Sequence, residues 1–120
     1  MGQIFQELGR GLVAADALES ANTLYTNPAN KDTMITRIFL YNSHSSSVTV
    51  YIGLVPDNAG SADDMDAADY YYVLTLDAGD TFEIDTKMIL RDSNETVQAW
   101  ASVASKMYVK LVGFTMPDQS

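Results

Sequence analysis

"TMITRIFLYNSHSSSVTVYIGLV", residues 33–55, contains two alternating apolar runs separated by a serine-rich link. In Thr33–Asn42, residues Ile35, Arg37, Phe39 and Tyr41 fall on one face of an extended chain, and Met34, Thr36, Ile38 and Leu40 fall on the other. Both faces are rich in apolar groups, which reads as a central strand buried at least on the second face. In Val48–Val55 the apolar residues Val48, Val50, Ile52 and Leu54 point one way. The link Asn42–Ser47 is made of turn formers, so the pair reads as a β-hairpin.

The same grammar extends in both directions. Upstream, Thr23–Asn27 is a short β-prone run closed by Asn27-Pro28, and Ala29–Asp32 supplies loop residues. Gly9 and Gly11 rule out a long first helix, leaving an extended arm or a first edge strand, and Leu12–Leu18 reads as a strand. Downstream, periodicity lapses in the Asp-rich stretch 57–69, which reads as a solvated loop. Tyr70–Leu76 resumes as a strand, Asp77–Asp80 is a tight turn around Gly79, and Thr81–Thr86 alternates with Phe82 and Ile84 inward and Glu83 and Asp85 outward. A short apolar step at Met88–Leu90 precedes a turn and two further strands, Thr96–Val103 and Met107–Met116. About eight strands separated by turn chemistry, without a helix of ordinary length, predict an all-β antiparallel β-sandwich, with the jelly roll among its forms. One domain over residues 10–120 with an N-terminal arm over 1–9 is the expected organisation, since 120 residues suit one compact core.

Charge narrows the function. The chain carries sixteen carboxylates against seven Lys and Arg, a formal net charge of −9. Nine of those carboxylates lie between Asp57 and Asp85, and no Lys or Arg occurs from Ile38 to Thr86. Binding to nucleic acid or to an anionic membrane draws on cations, so neither is an expected partner. There is no cysteine, hence no disulfide framework and no thiolate metal site. The N-terminus lacks a basic segment followed by an apolar one, and no run approaches a bilayer span, so synthesis in the cytoplasm is expected.

No constellation demands catalysis. The single histidine, His44, sits among Ser43, Ser45 and Ser46 in what reads as an ordinary turn, without the G-x-S-x-G elbow of a nucleophilic serine. Asp64, Asp66 and Asp69 offer the hard oxygens a weak Ca²⁺ site would use, but the fixed glycine and terminal bidentate glutamate of an EF-hand are missing, so a solvated acidic loop is the plainer reading. Glu83 and Asp85 share a strand face, as a glycosidase pair requires, though plain solvent exposure is the more common reason for that pattern. Neither a metal nor a cofactor is expected. Tyr70, Tyr71 and Tyr72 stand out because consecutive residues on a strand face opposite sides, which leaves at least one ring outward. With Trp100, on the face opposite Val97, Ala99 and Ala101, they are candidates for partner contact, for a sugar platform or for plain sheet packing.

The succession "LYTNPANKDTMITRIFLYN" (24–42), "SVTVYIGLVP" (47–56), "YYVLTLDAGDTFEIDTKMIL" (71–90) and "ETVQAWAS" (95–102) resembles small β-sandwich structural proteins of tailed bacteriophages. The shared features are the Leu-Tyr-Thr-x-Pro-Ala turn, a strand ending in Asn at a serine-rich tip, and an Ala-Gly-Asp-Thr turn before the next strand. The resemblance implies a non-enzymatic virion protein, foremost a capsid decoration (cement) protein that clamps neighbouring subunits of the major capsid protein on the capsid surface. It further implies a homotrimer and a contact arm at Met1–Gly9, with Ile4, Phe5 and Leu8 as apolar anchors. A tail- or fibre-borne module binding carbohydrate or a receptor is the alternative, and a small lyase or glycosidase comes third.

Overall fold

The computed structural model describes residues 6–56, 65–91, 93 and 95–117. Eight strands occur among them: β1 (Gln6–Val13), β2 (Asn22–Thr26), β3 (Lys31–Asn42), β4 (Val48–Val55), β5 (Tyr70–Leu76), β6 (Thr81–Leu90), β7 (Thr96–Ala101) and β8 (Met107–Pro117). They form two four-stranded sheets, ordered β1-β8-β3-β6 and β2-β7-β4-β5. Every pairing is antiparallel. The pairs β1·β8, β2·β7, β3·β6 and β4·β5 are those of one long ladder folded back on itself. Rolling that ladder brings β8 beside β3 and β7 beside β4. This is jelly-roll connectivity, the form of sandwich that eight short strands were expected to reach.

The expected hairpin between β3 and β4 does not form, because the two strands lie in different sheets. Alternation predicts a strand but not its neighbour, and the serine-rich link bridges the sheets instead. Asn42 makes this corner. It is fully buried, and its Nδ2 donates to the carbonyls of Ser46 at 3.0 Å, Leu76 at 3.1 Å and Asp77 at 3.1 Å. Its Oδ1 accepts from the His44 amide at 2.9 Å. One side chain thus ties the β3–β4 crossing to the turn between β5 and β6.

The two faces of β3 also depart from strict alternation. Against β8, Ile35 pairs with Gly113 and Arg37 with Val112, so Thr36 is an extra residue, a β-bulge. The bulge reverses the parity of the strand. Ile35 therefore joins Ile38 and Leu40 inside, all three 1% exposed or less, while Arg37, Phe39 and Tyr41 face outward. Gly113 makes the bulge fit: a Cβ there would strike Met34 O and stand 2.9 Å from Ile35 Cα.

Other boundaries shift as well. The first strand is Gln6–Val13, not Leu12–Leu18, and Leu18–Ser20 is a 3₁₀ turn. The segment Gln6–Gly9 is accordingly part of the sheet edge, paired with β8. The separate runs Thr81–Thr86 and Met88–Leu90 are one strand, β6, in which Ile84, Met88 and Leu90 face inward by unbroken alternation, while a shift in register sets Thr86 and Lys87 against Thr36. Phe82 keeps the inward register opposite Leu40, yet it stays 50% exposed because β6 is an edge strand.

The core between the sheets is aliphatic, with Ile35, Ile38, Leu40, Met88, Met107 and Leu111 from one sheet facing Val48, Val50, Ile52, Val97, Ala99 and Ala101 from the other. Replacing Asn42 by Ala removes a donor from three carbonyls, of which Asp77 O keeps the Asp80 amide, and an acceptor from the His44 amide, and should cost about 2–3 kcal/mol. Thermal or urea unfolding measures this. Gly113→Ala should be at least as damaging, since backbone atoms cannot move aside; the control Ile38→Val should lose only about 1 kcal/mol.

Candidate functional site

The outward residues of the two sheets form the protein's two broad surfaces. On the β1-β8-β3-β6 sheet, cross-strand registry arranges them in rows. The first row is Leu12, Tyr108, Tyr41 and Thr81; the second is Arg10, Lys110, Phe39 and Glu83; the third is Glu7, Val112, Arg37 and Asp85. Leu12, Tyr41 and Tyr108 are 38%, 42% and 47% exposed, high values for large apolar groups. The rings of Tyr41 and Tyr108 stack at 6.0 Å, and Lys110 Nζ stands 5.8 Å from the centre of the Phe39 ring. The face is hollowed into a groove of about 830 Å³ lined by these two rows.

The charges on this face are paired among themselves. Glu7 receives a two-pronged hydrogen bond from Arg10, at 2.7 Å from Nη2 and 2.9 Å from Nε, with Lys110 Nζ 3.9 Å away. Arg37 lies 3.4 Å from both Glu83 and Asp85. The Arg10 hydrogen bond holds the Glu7 carboxyl below its ordinary range, against a smaller opposing effect of desolvation. Glu83 and Asp85, the pair a glycosidase reading would use, are thus both engaged with one guanidinium on an open sheet surface.

On the β2-β7-β4-β5 sheet the predicted aromatic residues are partly brought together. Tyr71 is an extra residue, since Ile52 pairs with Tyr72 and Gly53 with Tyr70. Strict alternation would put Tyr70 and Tyr72 on one face; the bulge separates them. Tyr72 turns inward, and its hydroxyl donates to Thr86 Oγ1 at 2.6 Å across the sandwich. Tyr70 turns outward and accepts a hydrogen bond from the indole N–H of Trp100 at 3.0 Å. Between them lies Tyr51, stacked flat on Trp100 at 4.0 Å and tilted against Tyr70 at 5.3 Å. Tyr71 itself is 45% exposed.

Of the Asp-rich stretch 57–69, residues 57–64 lie outside the described residues. Its described end folds back on this face, with Met65 only 2% exposed and packed over Gly53, where a Cβ would collide with the Met65 sulfur and come within 3.0 Å of Asp69 O. Asp66 and Asp69 close a capping box around the 3₁₀ turn Ala67–Asp69, the Asp66 amide donating to Asp69 Oδ2 at 2.9 Å. Asp64 lies outside the described residues. Among the described residues no group of three or more metal-ligating side chains gathers. In the serine-rich link, Ser43 Oγ donates to Lys106 O at 2.8 Å and Ser47 Oγ donates to Asp77 Oδ1 at 3.3 Å, so both hydroxyls serve the corner. Of the three arm anchors, Ile4 and Phe5 lie outside the described residues, and Leu8 is half-buried against the core.

Tyr51 and the row Leu12, Tyr41 and Tyr108 were not singled out in the sequence. Tyr41 and Tyr108 each alternate correctly for an outward position, but only strand order makes them neighbours. Because its folded-state pKa is depressed, Glu7 keeps its bond to Arg10 above the ordinary carboxylate range and loses it as pH falls through that lowered value. A carboxyl NMR titration should find Glu7 titrating below a free glutamate, and Arg10→Gln should raise the midpoint toward the ordinary value.

The fold recurs in bacteriophage particles. A chain in the capsid of Ralstonia phage GP4 superposes with a TM-score of 0.55 at 15% identity, over 99% of this chain and 86% of that one. A chain in the acid-stable capsid of Helicobacter pylori bacteriophage KHP30 gives a TM-score of 0.50 at 13% identity, over 98% of this chain and 100% of that one. No protein-family model matches the sequence, and no curated protein does. At such identities the likeness is one of fold: this chain shares a β-sandwich with those two capsid chains.

Proposed function

We propose that this protein is a non-enzymatic structural component of a bacteriophage virion, and specifically a decoration protein seated on the capsid surface against the major capsid protein. The observation that carries this reading is the full-length sharing of its fold with chains of two phage capsids. Two features of the surface agree with it. The exposed aromatic groups lie on broad sheet faces suited to contact with another macromolecule, and Glu7, Asp69, Glu83 and Asp85 engage neighbouring cations or a backbone amide, with no cluster of three or more metal-ligating side chains among the described residues.

The homotrimer and the clamping arm come from the family resemblance. Since Gln6–Gly9 belongs to β1, the part of the arm beyond that strand is residues 1–5, which include Ile4 and Phe5. Mixing the purified protein with capsids that lack it, followed by sedimentation, should give saturable co-sedimentation and a capsid that withstands higher temperature. A protein that stays in the supernatant at every ratio removes the decoration reading and sends the search to tail attachment and glycan binding. Deleting residues 1–5 should leave the melting temperature of the isolated protein within about 2 °C of the original, since β1 is intact, while abolishing co-sedimentation. Attachment that survives the deletion rules out the arm as anchor.

A further inference from the structure

The groove of about 830 Å³ on the outer face of the β1-β8-β3-β6 sheet is apolar along its first row and charged along its second. Leu12, Tyr108 and Tyr41 supply the apolar wall, and Arg10, Lys110 and Glu83 stand one row away. Glu83 is engaged by Arg37 at 3.4 Å. Arg10 and Lys110, by contrast, share the carboxylate of Glu7, a residue that does not line the groove. The β1–β8 side of the groove therefore sets two cations against one carboxylate.

The outward, exposed charges of the whole face have the same balance. Arg10, Arg37, Lys87 and Lys110 stand with Glu7, Glu83 and Asp85, so four of the chain's seven Lys and Arg meet only three of its sixteen carboxylates. On a protein of net charge −9 this surface is net positive. A second such face would meet it positive against positive, and a flat sheet laid over it would leave the groove empty. The occupant that fits is narrow, apolar and acidic.

Row spacing gives that occupant its form. Outward residues of a strand are two positions apart, which puts the Leu12–Tyr108 row about 6.7 Å from the Arg10–Lys110 row. An extended peptide has the same repeat between side chains on one side. We infer that the groove takes an extended peptide segment laid along β8, with a carboxylate and an apolar side chain two residues apart pointing into it. The carboxylate settles between Arg10 and Lys110, and the apolar side chain between Leu12 and the stacked rings of Tyr108 and Tyr41. Glu83 repels the carboxylate from the β6 side, which keeps the segment on the β1–β8 half. β1 enters the sheet at Gln6, at the end of the face remote from Leu12, so its own entry does not lead into the groove. Placing such a segment on the capsid rests on the decoration reading; the chemistry of the groove stands without it.

An NMR titration of the full chain with the short capped peptide Ser-Asp-Ser-Phe-Ser, taken to about 5 mM, tests the chemistry directly. Amide signals of Arg10, Leu12, Tyr41, Tyr108 and Lys110 should shift and saturate, and the same peptide with Lys for Asp should bind at least about fivefold more weakly. Arg10→Glu combined with Lys110→Glu should invert that preference, Tyr108→Ser should abolish binding of both peptides, and Val73→Ser on the opposite sheet should leave it unchanged. Absence of saturable shifts on the groove overturns the proposal. So does a preference that the charge reversal fails to invert. A mass that doubles with concentration, and does so no longer in Tyr108→Ser, without peptide binding, makes a second copy the occupant and overturns it too. Capsid co-sedimentation separates the two readings. Attachment lost in the charge-reversed variant supports the groove as the seat, and attachment that survives both it and Tyr108→Ser rules the groove out as the seat while the decoration reading stands. Peptide binding without capsid attachment supports the groove's ligand and removes the decoration reading.

Discussion

The close approach of β8 to β3 at Gly113 is the constraint on which the rest of the molecule depends. β3 and β8 are the two central strands of their sheet, and Gly113 lets the backbone at Met34 and Ile35 come nearer than any side chain allows. The chain uses that room to accommodate Thr36 as an extra residue, and the strand changes face. Without the change, Ile35 would face solvent whenever Ile38 and Leu40 face the core. With it, all three are buried, and Arg37, Phe39 and Tyr41 fall together outside. One missing Cβ thus completes the hydrophobic core and builds the outer face at the same time.

A second bulge does comparable work in the opposite sheet. Tyr71 is the extra residue of β5, and its insertion divides three consecutive tyrosines among three duties. Tyr72 bridges the sandwich through Thr86, Tyr70 accepts the Trp100 indole N–H on the outer face, and Tyr71 remains exposed. The Asp-rich loop follows the same logic. Gly53 leaves a flat place on the outer surface of β4, Met65 occupies it, and the adjoining carboxylates cap a turn. Met65 thereby fixes the start of the turn that leads into β5.

The functional reading follows from where these devices leave apolar surface. The sandwich exposes large apolar side chains on both faces, Leu12, Tyr41 and Tyr108 on the first and Tyr71 and Val73 on the second. On the first face Arg10 pairs with Glu7, and Arg37 pairs with Glu83 and Asp85. The rings gain from leaving water, and the attraction within the ion pairs offsets part of the desolvation cost of their charges. A protein that docks on another macromolecule needs such a surface, and a jelly roll supplies it on a rigid sheet.

Much of this was legible in the residues themselves. Alternation of apolar and polar side chains, broken at regular intervals by Gly, Pro, Asn and Ser, identified a β-sandwich, because the period of side-chain direction is a local property of an extended chain. The outward placement of Trp100 opposite Val97, Ala99 and Ala101 was read from the same period, as was the inward placement of Ile84. The absence of cations from the middle of the chain was equally plain. Strand partners were not, since the link between β3 and β4 has the composition of a hairpin turn and becomes a crossing only because Asn42 finds acceptors 34 and 35 residues away. Nor were the bulges at Thr36 and Tyr71 visible: an extra residue is defined by the strand opposite, and that strand comes from elsewhere in the sequence. The sequence by itself determined that the chain makes short strands with one apolar side, because local sterics and periodicity suffice for that. Tertiary structure alone decided which rings and charges share a face, because neighbours across a sheet are set by long-range pairing.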